Sequence, residues 1–259
     1  MDLSIRVAGV EFSSHLRPSG EGFGIGPDGF DGWDDGVAVK ADTVSRPSGH
    51  GDFDIPGFLE ARIVSMSGTC VAKSPQKLAW FGAQLAGLLA DGSGRVVVDR
   101  VGEVRWGTAR IAPGSTTKFK VNGANPKHAA FQVQLKFADP RKYGGSRPFT
   151  PATSLSLIHY GNFLSLPVLE VTGSMPSGYS IAGPGGRLFT VAQALATGQT
   201  HRINMATGRL YRDGALQVGV VSRADMWGIP GGSLGVQYSL VPVSGAGLIS
   251  APGVLDTFI

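Results

Sequence analysis

The sequence predicts a mainly β fold that contains one amphipathic helix. Its 259 residues include 39 glycines and 16 prolines, which separate many short apolar runs as turns separate strands. One run alternates strictly, with Phe131, Val133 and Leu135 on one side of the chain and polar residues between them. This alternation is typical of an antiparallel strand with one buried face and one solvated face. Because 42% of the residues are hydrophobic, the chain can build real cores.

One segment has the period of a helix instead. Apolar residues recur at helical spacing over residues 78–88. Ser74 and Pro75 are favoured at an N-cap and at the first helical position, and the Asp-Gly pair at 91–92 favours a stop. We therefore predict a helix at about residues 75–90 that lies across a sheet.

The composition of the chain changes near residue 140. Residues 1–140, which contain the predicted helix, are expected to form an N-terminal β domain. The segment 141–150 is rich in Pro, Gly and Ser, and we interpret it as a linker. Residues 151–259 hold few charges, several short strand candidates and frequent turns. This pattern favours a second all-β domain, a sandwich or jelly roll.

Few residues offer metal or redox chemistry. Cys70 is the chain's one cysteine, so no disulfide can form within it, and its strand-like surroundings predict a buried thiol. The five histidines are scattered singly, without the spacing of a metal site. The start of the chain lacks the apolar core of a signal peptide, and no window is apolar enough for a membrane helix. We expect no metal, no cofactor, no membrane partner and folding in a cytoplasm.

Charge is divided unevenly along the first half of the chain. Residues 1–60 carry four basic and eleven acidic side chains, whereas residues 95–147 carry eleven basic and three acidic ones. A nucleic-acid binder usually shows one basic face with interleaved aromatic residues. An acidic block beside a basic block indicates association between unlike surfaces at least as well. We therefore do not expect sequence-specific nucleic-acid binding.

The stretch from Gly20 to Gly36 matches two ligand-binding patterns only in part. Gly24, Gly26 and Gly29 fit G-x-G-x-x-G, but that fingerprint needs a helix to begin within it, and proline and further glycines forbid one. Its aspartates are spaced by three and lack the closing glutamate of a calcium loop, so a loose cation site is the weaker alternative. We interpret the stretch as a mobile acidic loop.

A second pattern matches the motif of a serine nucleophile but lacks the surroundings that such a serine needs. Residues 231–235 fit G-x-S-x-G around Ser233, but a strand pattern follows where the nucleophile elbow needs a helix. All five histidines also precede Ser233, whereas the elbow order places the histidine last. The sequence therefore predicts no catalytic residue here, and the segment is interpreted as a turn into a strand.

Five segments in a fixed order resemble a known family. They are HGDFDIPGFLEARIVSMSG, SPQKLAWFGAQLAGLLADGSG, FQVQLKFADPRKY, GNFLSLPVLEVTG and MWGIPGGSLGVQYS. In order and spacing, over about residues 45–245, they resemble the distal tail proteins (minor tail proteins) of long-tailed, siphovirus-type bacteriophages. FQVQLKFADPRKY, a strand that ends at the domain junction, is the most specific of them.

The resemblance implies a structural protein of the virion without enzymatic activity. It implies an N-terminal tail-tube-like β-sandwich domain that builds a ring and a C-terminal galectin-like β-sandwich. The expected partners are further copies in a hexameric ring, the major tail tube protein, the tail hub or tip protein and the tape measure protein. Phage DNA is expected to pass through this ring at the tail tip, which is assembled in the host cytoplasm.

A ring of identical copies needs two unlike patches on each copy. The charged blocks supply candidates, and the stretch from Gly20 to Gly36 is expected to line the channel or to contact a neighbouring ring. The predicted interface residues are Arg100, Arg105, Lys118, Lys120, Asp28, Asp31, Asp34 and Asp35.

Two other classes of function remain as alternatives. A carbohydrate-binding receptor module would use residues 150–259, where Trp227 is a candidate for stacking on a sugar, although a core tryptophan is the commoner case. A cell-wall glycosidase would need a pair of carboxylates, and the C-terminal half contains few acidic residues.

Overall fold

The computed structural model describes residues 2–16, 20–232 and 234–259, and the chain divides into two compact units. The first unit runs to Lys142 and also takes in Ile259, and the second comprises Tyr143–Phe258. Within the described residues the protein is mainly β, with one α-helix and one short 3-10 turn. The predicted fold class is therefore confirmed.

Ten strands form the first unit. They are β1 (Leu3–Val7), β2 (Val10–Ser13), β3 (Gly22–Asp31), β4 (Val39–Lys40), β5 (Phe58–Leu59), β6 (Arg62–Val71), β7 (Gly94–Arg100), β8 (Glu103–Ile111), β9 (Lys118–Val121) and β10 (His128–Phe137). Seven of them follow each other in the order β8–β7–β1–β2–β3–β6–β10, and β10 pairs back to β8, which closes a barrel. Strand β9 extends the sheet beyond β10, and β4 and β5 form a separate hairpin.

Aromatic and aliphatic side chains fill this barrel. The alternation predicted for residues 131–137 is real, because Phe131, Val133 and Leu135 are all buried. The ring of Phe12 lies 5.0 Å from that of Phe23 and 5.5 Å from that of Phe131, measured between centroids. These contacts join strands that are distant in the sequence, so the core fixes the strand order.

The helix α1 (Pro75–Ala86) packs against the barrel through Leu78 and Leu85. It begins as predicted, because the Ser74 hydroxyl accepts a hydrogen bond from the backbone N–H of Lys77 at 3.2 Å. It ends at Ala86 rather than near residue 90. The N–H of Gly87 closes the last turn, and the apolar residues that follow are buried without continuing the helix.

The glycine-rich stretch is mostly a strand and not a loop, which corrects the prediction. Residues Gly22–Asp31 form β3, antiparallel to β6, with a bulge between Ile25 and Phe30. A side chain at Gly68 of β6 would overlap the carbonyl group of Gly24, and one at Gly29 would overlap the carbonyl oxygen of Ser67. The glycines therefore allow two backbones to approach closely, a tertiary requirement that the local pattern does not show.

Eleven strands form the second unit. They are β11 (Lys142–Ala152), β12 (Ser154–Leu157), β13 (Val168–Ser174), β14 (Tyr179–Ala182), β15 (Leu188–Val191), β16 (Thr200–Asn204), β17 (Arg209–Arg212), β18 (Ala215–Gln217), β19 (Val221–Ala224), β20 (Val236–Pro242) and β21 (Ala246–Phe258). One sheet has the order β18–β17–β16–β13–β21–β11 and the other has the order β12–β20–β14–β15–β19. The segment 141–150, expected to be a linker, lies largely within β11.

A single apolar cluster lies between these two sheets. Leu169 and Ile203 from the first sheet are fully buried, and so are Ile181 and Phe189 from the second. This arrangement is a two-sheet β-sandwich, as predicted for the C-terminal domain.

Candidate functional site

Three of the predicted interface residues meet around one cavity of the first unit. Arg100, at the end of β7, forms an ion pair with Asp34, and Arg105 of β8 pairs with Glu103 at 2.8 Å. The cavity between them has a volume of about 300 Å³, and Trp33, Val98 and Val101 also line it. Asp34 and Arg100, which the sequence assigned to two unlike patches, therefore form an ion pair within one chain.

Two buried cations fasten the turn that carries Asp34. Arg62, the first residue of β6, is 3% exposed, and the two N–H groups of its Nη1 donate to three backbone carbonyl oxygens at 2.8–3.0 Å, so that at least one hydrogen is shared between two acceptors. The acceptors are Gly32, Trp33 and Asp35. Lys142, also 3% exposed, donates from Nζ to the Trp33 carbonyl oxygen at 2.9 Å. The turn is held by carbonyl contacts to two positive charges rather than by apolar packing alone.

The buried position changes the titration of both groups. Burial, with the positive charge of Arg62, lowers the pKa of the Lys142 ammonium to about 8, while Asp34 opposes the shift. Burial also lowers the pKa of Arg62, and the carboxylates of Asp35 and Asp34 partly offset that change. Because the pKa of Lys142 is lowered in the folded chain, the stability of this corner of the barrel depends on pH above about 8.

Sequence reasoning missed both cations, although one of them left a signal. Arg62, Val64 and Met66 occupy alternate positions of β6, and all three are buried. The strand period therefore places Arg62 on the inner face. Lys142 left no such signal, because it lies in the polar segment interpreted as a linker.

Lys118 and Lys120, the other predicted basic residues, lie on an edge strand away from that cavity. Strand β9 pairs with β10 on one side, from Lys118 opposite Gln132 to Val121 opposite Ala129. Both lysines are exposed, and Lys120 and Val121 border a cavity of about 550 Å³. Within the described residues β9 is the last strand of its sheet, so its outer edge presents backbone N–H and C=O groups to which another chain can bind, beside two positive charges.

The four predicted aspartates are exposed but differ in their surroundings. Asp28 lies in the bulge of β3, and Asp31 is the last residue of that strand. Asp34 pairs with Arg100, and the backbone of Asp35 binds Arg62. In the described ranges, no three His, Cys, Asp or Glu residues converge as a metal site.

A hairpin projects from the first unit between β3 and β6. We call residues 38–60 the hairpin arm. Strands β4 and β5 pair at its base, and Ser45 bridges to Asp52 near its tip. Every residue of the arm except Leu59 is exposed. Such a long exposed segment in a compact domain is usually functional.

Trp227, the candidate sugar contact, lies in the core of the second unit. It is 2% exposed, and its ring stacks on that of Tyr238 at 5.2 Å between centroids. A side chain at Gly183 would collide with the same ring, which shows how closely it is covered. The sugar-contact interpretation is therefore corrected to a core tryptophan, since a sugar cannot reach the faces of this ring. Ser233, which lies in the segment interpreted as a turn into a strand, is outside the described residues.

The two units define a class of fold in which a closed β barrel with one helix is followed by a two-sheet β-sandwich. The Dit protein of phage SPP1, described as a paradigm of the hub adsorption apparatus in phages that infect Gram-positive bacteria, has this fold. The two share 12% sequence identity and superimpose over 99% of each chain with a TM-score of 0.74. The predicted resemblance to distal tail proteins is thereby confirmed at the level of the fold.

Two further solved structures show a weaker likeness. A chain of the phage P2 baseplate, in its activated conformation with Ca, matches at 7% identity over 96% of this chain and 97% of that one, with a TM-score of 0.44. The corresponding structure with Sr gives a TM-score of 0.43 at the same identity and coverage. These scores are too low to support a conclusion. No family model matches the chain, and no curated protein sequence matches it either.

Proposed function

We propose that this protein is a structural component of a phage tail tip, and that its copies form a hexameric ring between the tail tube and the tail hub. The observation that carries the proposal is the likeness to the SPP1 Dit protein, which extends over 99% of both chains at a TM-score of 0.74. A match of this extent includes both units, so the proposal concerns the whole chain and not one domain.

The proposed role depends on assembly and not on catalysis. In a ring, a patch on each copy contacts a different patch on the next copy. The first unit offers unlike charged surfaces, with the basic edge of β9 on one element and exposed aspartates on others. Complementary charge of this kind orients partners and speeds their encounter.

The ring is proposed to contact the major tail tube protein on one face and the tail hub protein on the other, with the tape measure protein as a further partner. The protein would then be part of the virion. Its described residues contain no helix with the length and hydrophobicity to cross a membrane. The second unit is proposed to lie at the outside of the ring, as the resemblance to distal tail proteins implies.

Co-purification tests this proposal directly. The full chain is expressed with and without the tail tube and tail hub proteins of the same phage, and the complexes are sized by mass photometry. We expect one species of ring mass that also retains the tube protein and the hub protein. A chain that remains monomeric in the presence of both partners contradicts the proposal.

A further inference from the structure

We propose that the hairpin arm of one copy docks on the β9 edge of the next copy. This inference rests on the proposed ring and assigns its two contact surfaces. The arm supplies apolar side chains and negative charge, and the edge strand supplies unpaired backbone and positive charge. The occupant of the edge is thus a second copy of this chain.

The arm is a formed hairpin and not an irregular loop. Its base pairs Val39 with Leu59, and further up the Phe53 N–H donates to the Val44 carbonyl oxygen at 2.9 Å. Near the tip, the Arg46 N–H donates to the Gly51 carbonyl oxygen at 3.2 Å. The hairpin therefore has a defined shape that could be presented to a partner.

The arm exposes several large apolar side chains to solvent. Phe58 is 70% exposed, Val39 64% and Phe53 52%. Val44 and Ile55 are also exposed. Because apolar surface of this extent gains from leaving water, a projecting hairpin of this kind is typical of an interface.

The charges of the arm match those of the edge. The arm carries four acidic residues, Asp42, Asp52, Asp54 and Glu60, and two basic ones, Lys40 and Arg46. The segment that contains β9 carries Lys118, Lys120 and Lys127, and it has no acidic residue between positions 113 and 138. The tip sequence places Asp52 and Asp54 on either side of Phe53, so one apolar anchor is flanked by two carboxylates.

The edge has room for an aromatic anchor. The cavity beside β9 has a volume of about 550 Å³, and Thr69, Lys120, Val121 and His128 are among its lining residues. Val121 is 49% exposed there, which offers an apolar contact beside the lysine. The cavity that adjoins the helix is less suitable, because two glutamates, Glu11 and Glu21, line it against one lysine, Lys77.

The two surfaces lie at opposite ends of the barrel. The arm joins β6 at Arg62, which is opposite Phe137 of β10, whereas β9 pairs with the other end of β10 at residues 129–132. From Arg62 to Thr69 along β6 the separation is roughly 23 Å at 3.3 Å per residue. Donor and acceptor surfaces at opposite ends of one copy suit a contact that repeats from copy to copy.

A charge exchange tests the proposal. One variant carries Asp52→Lys and Asp54→Lys, a second carries Lys118→Glu and Lys120→Glu, and a third carries all four changes. We expect the first two to lower the fraction of ring at least tenfold in mass photometry, and the third to recover most of it, because each reversed arm then meets a reversed edge. The control variant carries Lys73→Glu and Asp91→Lys, two exposed charges elsewhere, and keeps wild-type assembly.

Cross-linking tests the contact itself. Chains with Phe53→Cys are mixed with chains with Lys120→Cys and treated with a short bifunctional maleimide. Cys70 is buried and burial raises the pKa of its thiol to about 12, so it competes little. We expect a cross-linked dimer from the mixture. Mixing Phe53→Cys with Val218→Cys, whose position is 83% exposed in the second unit, gives none.

The outcomes separate this inference from the proposed ring. If wild-type rings form and the arm variants assemble equally well, the docking of the arm is wrong and the ring remains. If cross-linking is as strong to position 218 as to position 120, the contact is not specific and the inference is again wrong. If the wild-type chain forms no ring with its tail partners, both fail.

Discussion

Lys142 shows how a single residue links the fold of the first unit to pH. Its ammonium group is buried beside the guanidinium of Arg62 and is bonded to the carbonyl oxygen of Trp33. A buried positive charge is costly unless hydrogen bonds compensate for the lost water. Here the compensation comes from backbone oxygens, while the neighbouring cation adds to the cost.

The stability of the first unit is expected to rise with pH because of Lys142. The pKa of this group is about 8 in the folded chain and 10.5 in its unperturbed state. Between these pH values the unfolded chain binds more protons than the folded chain, so the free energy of unfolding increases with pH, by up to about 3 kcal/mol in total. Below about pH 8 Lys142 is charged in both states, and the full cost of burying its charge lowers the stability of the folded chain.

Lys142→Met isolates this effect. Urea unfolding at several pH values between about 8 and 10, followed by tryptophan fluorescence, is expected to show a weaker rise for the variant than for the wild type. The exposed Lys73→Met serves as the control and keeps the wild-type slope. Equal slopes for Lys142→Met and the wild type would show that Lys142 is not the group responsible.

Trp227 is a core residue whose removal is expected to destabilise the second unit. Trp227→Ala removes a ring that is 2% exposed and stacked on Tyr238. The expected loss in the free energy of unfolding is about 3–5 kcal/mol. Calorimetry measures it, with Trp80→Ala as the matched control, since Trp80 is 48% exposed and its loss should cost far less. Similar losses for the two variants would contradict the assignment of Trp227 to the core.

At the scale of elements, the close approach of β3 and β6 explains why glycines occur in both strands where they meet. The carbonyl group of Gly24 occupies the space that a side chain at Gly68 would need. The strands can approach this closely because Gly68 lacks a side chain. Within the pattern G-x-G-x-x-G, Gly29 is likewise required by backbone packing, since a side chain there would overlap the carbonyl oxygen of Ser67.

Gly68→Ala is therefore expected to destabilise the first unit by about 3 kcal/mol or more, because the backbone of β3 must move. Gly26→Ala is the matched control from the same motif, since an added side chain there makes only ordinary contact. Denaturant unfolding compares the two variants. If the control is as destabilised as Gly68→Ala, general loss of glycine flexibility and not the close approach is the cause.

Elements with strong local patterns could be predicted from the sequence. The start of α1 at Ser74 and Pro75 and the alternation of β10 depend on neighbouring residues alone. The identity of β3 could not be predicted, because its glycines are required by a partner strand some 40 residues away. The end of α1 was overestimated, since burial of Leu88 after the helix resembles helical periodicity.

At the scale of the whole molecule, the acidic and basic blocks counted along the sequence do not correspond to separate surfaces. Asp34 and Arg100, taken from opposite blocks, pair within one chain. Asp52 and Asp54, from the same acidic block, lie on the exposed hairpin arm. Counting charges along the sequence cannot tell a carboxylate that pairs within the chain from one that stays exposed, because such pairing depends on which strands become neighbours in the fold.

Assembly through unlike charges is expected to weaken in salt. The range of charge interactions falls from about 10 Å at 0.1 M ionic strength to about 3 Å at 1 M. Sedimentation velocity of the wild-type chain at these two ionic strengths should show a severalfold loss of ring at the higher one. A ring population that is unchanged or increased would indicate that apolar contacts dominate the interface.

Electron microscopy of the purified protein tests the central claim most directly. The claim is that the fold shared with the SPP1 Dit protein serves to build a ring at a tail tip. The account predicts particles with sixfold symmetry and an open centre, formed alone or together with the tail tube protein. Images that show only single copies of the chain, with the tube protein present, would contradict it.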